Sequence, residues 1–374
     1  MRGNITRRGK SSWRLKYDVG TGTERKIAYV TVRGTRKQAE AELAKRLTEL
    51  AEGRYVARSA QTLATYVRHW LANIAPAKSG PSSLAQYGTM IRNHVLPELG
   101  AIELQKLDAG AIDRLYTLCR KRGLSPVTVS NLHSVLKRIL KSAVRAGKLV
   151  CSPMDRIQTE PNAKPREVEV LSEEELGRLL GHLKGHWLYL PTLLAVHTGL
   201  RRGEVCGLRW KDVNASDIHV TQAIGRIGNK IGVTTLKTRR SKRTIKLPAS
   251  LLLELAQHKK VQATIRLRIG LGKDAADLIC TMPDGKPLHP VVLSHTFAQK
   301  VREAGLPSTT FHGLRHFHVS YLLKHGVPLH VVSARAGHAN ASVTLNTYAH
   351  LMGEEDERAA EQADKLFESI RERK

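Results

Sequence analysis

The chain has 374 residues, 41% of them hydrophobic and 25% charged, too many for one ordinary core and enough for two or three domains. Its 61 Lys and Arg against 33 Asp and Glu leave a formal charge of +28, which attracts polyanions; because basic residues run along the whole length, nucleic acid is favoured over a membrane surface. No stretch reaches the roughly 18 apolar residues of a membrane helix, the basic start lacks the apolar core of an export signal, and Cys119, Cys151, Cys206 and Cys280 are scattered without metal or disulfide spacing, as in a reducing cytoplasm.

Residues 11–19, SSWRLKYDV, alternate Trp13, Leu15, Tyr17 and Val19 with Arg14, Lys16 and Asp18, the period of a strand with one buried face. Turn residues follow, and then RKIAYVTVRG, rich in β-branched and aromatic side chains, so a hairpin is expected. Thr35 caps a helix that sets Ala39, Leu43, Leu47 and Leu50 on one face and stops near Gly53. The result is a basic strand-strand-helix unit over residues 1–57.

Over residues 58–150 the period is helical. Leu63, Tyr66, Trp70 and Leu71 mark a first helix capped by Thr62; Leu84, Tyr87, Ile91 and Val95 a second; Ile112, Leu115, Tyr116 and Cys119 a third, ended at Gly123. A fourth opens at Ser125 and Pro126, turns Val129, Leu132, Leu136, Ile139 and Ala143 inward, and ends before Gly147. Residues 151–168 carry Pro153, Pro161 and Pro165 without a hydrophobic period and read as a linker. From 169 to 374 the pattern is mixed α+β: helices at SEEELGRLLGHL and through WLYLPTLLAVHTGLRRGEVCGL, strands at DIHVTQAI, IGVTTLKT and SKRTIKLP, then several helices after PASLLLEL. The fold class is therefore multidomain, mainly α with small β-sheets. GRIGNKIG and IGLGKDAAD miss both the phosphate-loop and the dinucleotide patterns and read as turns.

Basic islands in the last domain carry the chemistry. In HTGLRRGEVCGLRW, Arg201 and Arg202 follow an apolar run and Glu204 can fix a guanidinium fork toward phosphate, although for that motif alone a structural Arg–Glu pair is the favoured reading. Lys237 ends a strand before a basic turn. STTFHGLRHFHVS holds His312, Arg315, His316 and His318; the His-Glu-x-x-His zinc motif fails here because Gly313 stands in place of the glutamate, and an arginine among the histidines suits an anion. SARAGHANASVTLNTYAH places His338 ahead of Tyr348, a tyrosine that by itself reads as a packed aromatic. Attack on a phosphodiester needs cations for the non-bridging oxygens, an acid for the leaving oxygen and a nucleophile, and these residues supply all three.

Arg201 in TGLRRGE, Lys237 in LKTRRSKRTI, His312 and Arg315 in HGLRH, His338 in AGH and Tyr348 in TLNTYAH resemble, in type and order, the tyrosine recombinases, the phage-type integrases. The likeness covers about residues 170–352, with one minor departure, Ala336 where the family commonly has leucine. It implies that the helical region binds core-site DNA and that the unit at 1–57 binds arm-site DNA, as in integrases of phages and integrative elements.

By this resemblance Tyr348 attacks the scissile phosphate and forms a 3′-phosphotyrosyl link, with Arg201 and Arg315 on the non-bridging oxygens and Glu204 orienting Arg201. Lys237 is the general acid for the 5′-oxygen, His312 and His338 bond to phosphate, and His312 also helps with the tyrosine proton. Neither metal nor cofactor is implied. The implied partners are double-stranded DNA attachment sites and a homo-tetramer on DNA, with a DNA-bending host factor and an excision factor as further candidates. The implied setting is a bacterial cytoplasm, at the nucleoid when acting. The tail after Tyr348 could dock on its own domain or on a neighbouring subunit. Three other readings stand beside this one: a sequence-specific DNA-binding protein without the reaction, a type IB topoisomerase-like enzyme that reseals the same strand, and a ribosome- or RNA-associated basic protein.

Overall fold

The computed structural model describes residues 3–19, 26–52, 55–158, 160–161, 170–227, 230–235, 242–270, 277–338 and 340–348, with 360, 361, 363–365, 368, 370 and 371 of the tail. The chain forms two units, Met1–Lys164 and Pro165–Lys374.

The first unit opens with an antiparallel sheet in the order β1 (Gly3–Gly9), β2 (Ser12–Asp18), β3 (Ile27–Arg33). The hairpin and the helix after it stand as expected, and β1 is an additional strand. Only Ile5 of GNITRRG is apolar, so this edge strand shows no alternation to read. Register pairs Ile5 with Leu15 and Leu15 with Val30, which puts one face of the sheet on α1 (Arg36–Ala51), where Leu15, Tyr17, Ala39 and Leu43 are buried. Thr35 accepts from Gln38 N, and the Gln38 side chain returns the bond, closing a capping box. The opposite face leaves Lys16, Tyr29, Thr31 and Arg33 exposed, with the Arg14 guanidinium 5.7 Å from the centre of the Tyr29 ring.

A helical bundle follows. It comprises α2 (Leu63–His69), which continues into a wide π turn at Trp70–Ile74, then α3 (Pro81–Met90), a second π turn at Ile91–Val95, α4 (Leu96–Leu99), α5 (Ala109–Lys121) and α6 (Pro126–Arg145). Leu63, Ile91, Ile112, Leu132, Leu136 and Ile139 are its fully buried centre. Its buried polar groups are paired: Tyr66 donates to Ser142 at 3.2 Å, and Tyr116 bonds His133 at 3.2 Å. Proline content suggests a linker from residue 151, but a 3-10 turn at Pro153–Arg156 buries Met154 in the bundle core. Residues 159 and 162–168 of that linker lie outside the described residues.

The second unit begins with α7 (Glu173–Leu183), α8 (Tyr189–Thr198) and α9 (Arg202–Gly207). Four strands follow, β4 (Asp217–Val220), β5 (Gln222–Ile227), β6 (Lys230–Thr235) and β7 (Arg243–Lys246); β4 pairs with β7 and β5 with β6, both antiparallel. The chain continues through α10 (Ala249–Arg268), α11 (Pro290–Glu303), α12 (Gly313–Lys324), α13 (Leu329–Ala336) and α14 (Ala341–Tyr348). Leu179, Leu194, Val205, Ile218, Leu288 and Phe297 centre the core that anchors α8, α9 and β7. A smaller cluster of Val319, Leu323, Val332, Ala336 and Tyr348 ties α12, α13 and α14 together. The expected description, mainly α with small sheets in several parts, holds. Among the described residues, no helix is long and apolar enough to cross a membrane.

Candidate active site

Two left-handed glycines set the frame of the site. Gly199 (φ 64°) ends α8, where its N–H donates to Ala195 O at 2.9 Å. Its own carbonyl accepts from Arg315 Nη1 at 2.7 Å. Gly337 (φ 67°) ends α13, and its carbonyl accepts from Arg201 Nη2 at 2.8 Å. Each turn needs a residue without Cβ: at Gly199 a Cβ would lie 2.6 Å from the His318 ring, and at Gly337 it would lie 2.9 Å from Arg243 Nη1. The helix ends thus direct their carbonyls at the two arginines, and the cations sit at the negative ends of α8 and α13.

Glu204, 2% exposed, binds the arginines together. It accepts from Arg201 N at 2.9 Å and Arg201 Nη1 at 3.0 Å, and from Arg243 Nη1 at 3.2 Å and Nη2 at 2.9 Å. Burial pushes its carboxyl pKa up, but the bonds and charges of Arg243 and Arg201 more than offset this, so it ends below the ordinary value. Arg243 also donates through Nε to Arg335 O at 2.7 Å. The sequence reading missed Arg243. Its signal is phase: in β7 it lies on the same side as the buried Ile245, where a solvated arginine does not belong.

Arg315, 3% exposed in the first turn of α12, is the most unusual charge. Burial first, and then the charges of Arg201 and Arg243, push its pKa down to about 9. Its Nη2 is buried with no hydrogen-bond partner among the described residues. An unpaired guanidinium nitrogen in such surroundings is costly until an anion reaches it.

Tyr348 packs its ring in a core and keeps its hydroxyl in a polar contact. Its ring is 3% exposed in the cluster with Val319, Leu323, Val332 and Ala336, while its hydroxyl lies 2.5 Å from His316 Nδ1. Burial raises the phenol pKa to about 12 against a smaller downward pull from Arg315. His312 stands one turn before His316 with the two rings edge to face, centres 4.9 Å apart. Although His312 reaches solvent, crowding of protein around it first, and then His316, Arg315, Arg201 and Arg202, push its pKa down to about 4. His338 bonds Thr344 Oγ1 at 2.6 Å and is also pushed down to about 4, by burial and then by Arg315, Arg201 and Arg243. At neutral pH both rings are uncharged hydrogen-bonding groups.

The structure therefore brings together Arg201, Glu204, His312, Arg315, His338 and Tyr348, and adds Arg243 and His316. Lys237 lies outside the described residues, as do residues 349–359 at the start of the tail. Among the described residues the Tyr348 hydroxyl is bonded to His316, one helical turn after His312. His318 faces away from the site: Nδ1 bonds Val196 O at 2.7 Å and Nε2 accepts from Arg335 Nε at 3.3 Å, a structural arrangement that fixes its neutral tautomer. Arg202 turns to Ser294 Oγ at 2.7 Å. Several cations gathered around one fully engaged carboxylate make a seat for an anion.

The phage integrase family matches residues 169–355, and the phage integrase N-terminal SAM-like domain matches residues 62–117. The tyrosine recombinase XerC-like protein of Caldanaerobacter subterraneus subsp. tengcongensis is 30% identical over 385 aligned positions, covering 97% of this chain and 98% of that one. Among solved folds, the Tn1549 transposon integrase in complex with a circular intermediate DNA aligns at TM-score 0.70 and 19% identity, over 81% of this chain and 99% of that one. A lambda integrase tetramer bound to a Holliday junction aligns at TM-score 0.61 and 18% identity, over 85% of this chain and 89% of that one. Matched in its helical region and in the unit that holds Tyr348, and over nearly its full length by one relative, the chain belongs to the phage integrase family, the tyrosine recombinases.

Proposed function

We propose that this chain is the site-specific recombinase of a phage or integrative element, breaking and rejoining DNA through a 3′-phosphotyrosyl link to Tyr348. The observation that carries the reading is the buried Nη2 of Arg315, without a partner among the described residues, in the same cluster as Arg201 and Tyr348. A phosphodiester supplies the missing acceptor. Arg201 and Arg315 take its non-bridging oxygens, held by Glu204 and by the carbonyls of Gly337 and Gly199. Tyr348 forms the new P–O bond as the P–O5′ bond breaks, and Lys237 protonates the leaving 5′-oxygen. His312 and His338, uncharged at neutral pH, bond to phosphate oxygens. The bond energy stays in the covalent link, so the free 5′-hydroxyl of a partner strand completes the exchange.

The partner is double-stranded DNA at attachment sites. Residues 58–150 take core-site DNA, and the outer face of the N-terminal sheet, with Arg14, Lys16, Tyr29 and Arg33, takes arm-site DNA. Strand exchange between two duplexes calls for a tetramer, the assembly named for the lambda integrase structure, with a DNA-bending factor and an excision factor as accessory candidates. The reaction is placed in a bacterial cytoplasm, at the nucleoid.

The test is recombination on plasmids carrying the two attachment regions of the element, with wild type and Tyr348→Phe, in chelator and without ATP. Recombinant product from wild type alone is expected. Relaxation of supercoils without recombinants would favour the topoisomerase-like reading, and specific binding with neither product would favour a DNA-binding protein.

A further inference from the structure

We propose that His316 is the proton acceptor for Tyr348: its Nδ1 takes the phenol proton as the phenol oxygen attacks phosphorus, and returns it when the strand is resealed. The proposal rests on the reading of Tyr348 as the nucleophile.

Three features carry it. The first is reach, since His316 Nδ1 and the Tyr348 hydroxyl are 2.5 Å apart. The second is placement. His316 follows Arg315 on α12, so the helix fixes the acceptor relative to the guanidinium that would hold the phosphate, and the ring is set between His312 and Tyr348, with ring centres 4.9 and 5.7 Å away. The third is that Glu204 is engaged with Arg201 and Arg243 and His338 Nδ1 with Thr344, while the His312 ring meets His316 edge to face. The protonation states agree with this. A phenol pushed up to about 12 carries its proton at neutral pH and needs a base, while burial, and then the charge of Arg315, lower the His316 pKa and keep the imidazole free to accept.

The step balances. The Tyr348 Oη–P bond forms, the P–O5′ bond breaks, the phenol proton goes to His316 Nδ1, and the leaving oxygen takes its proton from the acid assigned to Lys237. In resealing, the imidazolium gives its proton back to the departing phenolate. Among the described residues, the charged and titratable groups facing the His316 ring are His312, Arg315, His338 and Tyr348. Burial and the charge of Arg315 disfavour the imidazolium, so the proton is passed on at resealing rather than held as a resting charge.

The experiment is single-turnover cleavage by the full chain on two nicked duplexes from its attachment region, one ordinary and one with sulfur in the bridging 5′ position. Sulfur leaves without a proton, so a defect in the leaving-group acid disappears on that duplex and a defect in the nucleophile's base does not. His316→Asn keeps an acceptor oxygen near the Nδ1 place but cannot take the proton, and His316→Ala removes the contact; DNA binding and melting establish that each variant is folded. Both should cleave about 100-fold or more slowly on both duplexes, with the loss shrinking as pH rises from 7 to 9.5. Lys237→Ala should recover on the sulfur duplex. A His316→Asn rate within threefold of wild type would reduce His316 to positioning, and recovery of either variant on the sulfur duplex would assign it to the leaving group; each overturns the proposal. An adduct formed by Tyr348→Phe, or none by wild type, would instead sink the nucleophile reading beneath it.

Discussion

Replacing Arg243 with alanine separates what holds the site from what performs its chemistry. The substitution removes both guanidinium bonds to Glu204, at 3.2 and 2.9 Å, and the bond to Arg335 O at 2.7 Å. Glu204, 2% exposed, then keeps Arg201 as its ionic partner among those described. Stripping one partner from a buried pair costs about 3–5 kcal/mol, because the remaining charge cannot be resolvated. For a unit the size of Pro165–Lys374, at roughly 2–4 °C per kcal/mol, the melting temperature should fall by about 6–20 °C. Calorimetric or circular dichroism melts measure this directly, with Arg243→Lys expected between the two because it keeps charge but not the two-pronged geometry. Below the melting range Arg201 keeps its bonds to Glu204 and Gly337, so cleavage should stay within about 10-fold of wild type. A melting change under 2 °C would refute the reasoning, since it would mean that Glu204 is not buried against Arg243 in solution.

Other substitutions probe the frame differently. Arg315→Gln removes a buried charge with an unpartnered nitrogen, so melting should hold steady or rise while strand cleavage falls about 100-fold or more; a fall of several degrees would show that the charge is structurally needed. Gly337→Ala forces a left-handed backbone on a residue with a Cβ and sets that carbon 2.9 Å from Arg243 Nη1. It should cost more than about 1 kcal/mol in melts and weaken cleavage through Arg201, and an unchanged protein would contradict the close packing. Acid should also destabilise through His318, whose pKa burial pushes down to about 3 from the ordinary 6.5. Between those values the unfolded chain binds a proton that the folded chain refuses, so stability present above pH 6.5 is lost as pH falls, at about 1.4 kcal/mol per unit. Melts of wild type and His318→Gln from pH 7.5 to 4 check this: the variant should show the shallower slope, and equal slopes would mean that His318 titrates freely.

Much of the fold was legible because each element announced its period. The helix over Pro126–Arg145 has Ser125 as its cap, proline in its first turn and an inward face of Val129, Leu132, Leu136 and Ile139, and all of that is visible in sequence. Strand β1 was not, because an edge strand with one apolar residue carries no alternation. The spaced basic motifs pointed to the right part of the chain, since Arg201, Glu204, Arg315 and Tyr348 do converge. What sequence could not give is long-range pairing. Arg243 meets Glu204 across 39 positions, and the His316 contact with Tyr348 spans 32. No local pattern encodes either. Nor does spacing reveal that two glycine carbonyls, at helix ends far apart in the chain, orient the arginines.

The most direct test of the account is covalent trapping. Full-length protein is incubated with a nicked duplex from its attachment region, from which the short cleaved fragment diffuses away, and the adduct is digested and its peptides sequenced by mass spectrometry. The account predicts DNA linked through phosphate to Tyr348, and no adduct from Tyr348→Phe despite unchanged binding. A link to another side chain, or an equal adduct from Tyr348→Phe, would contradict it.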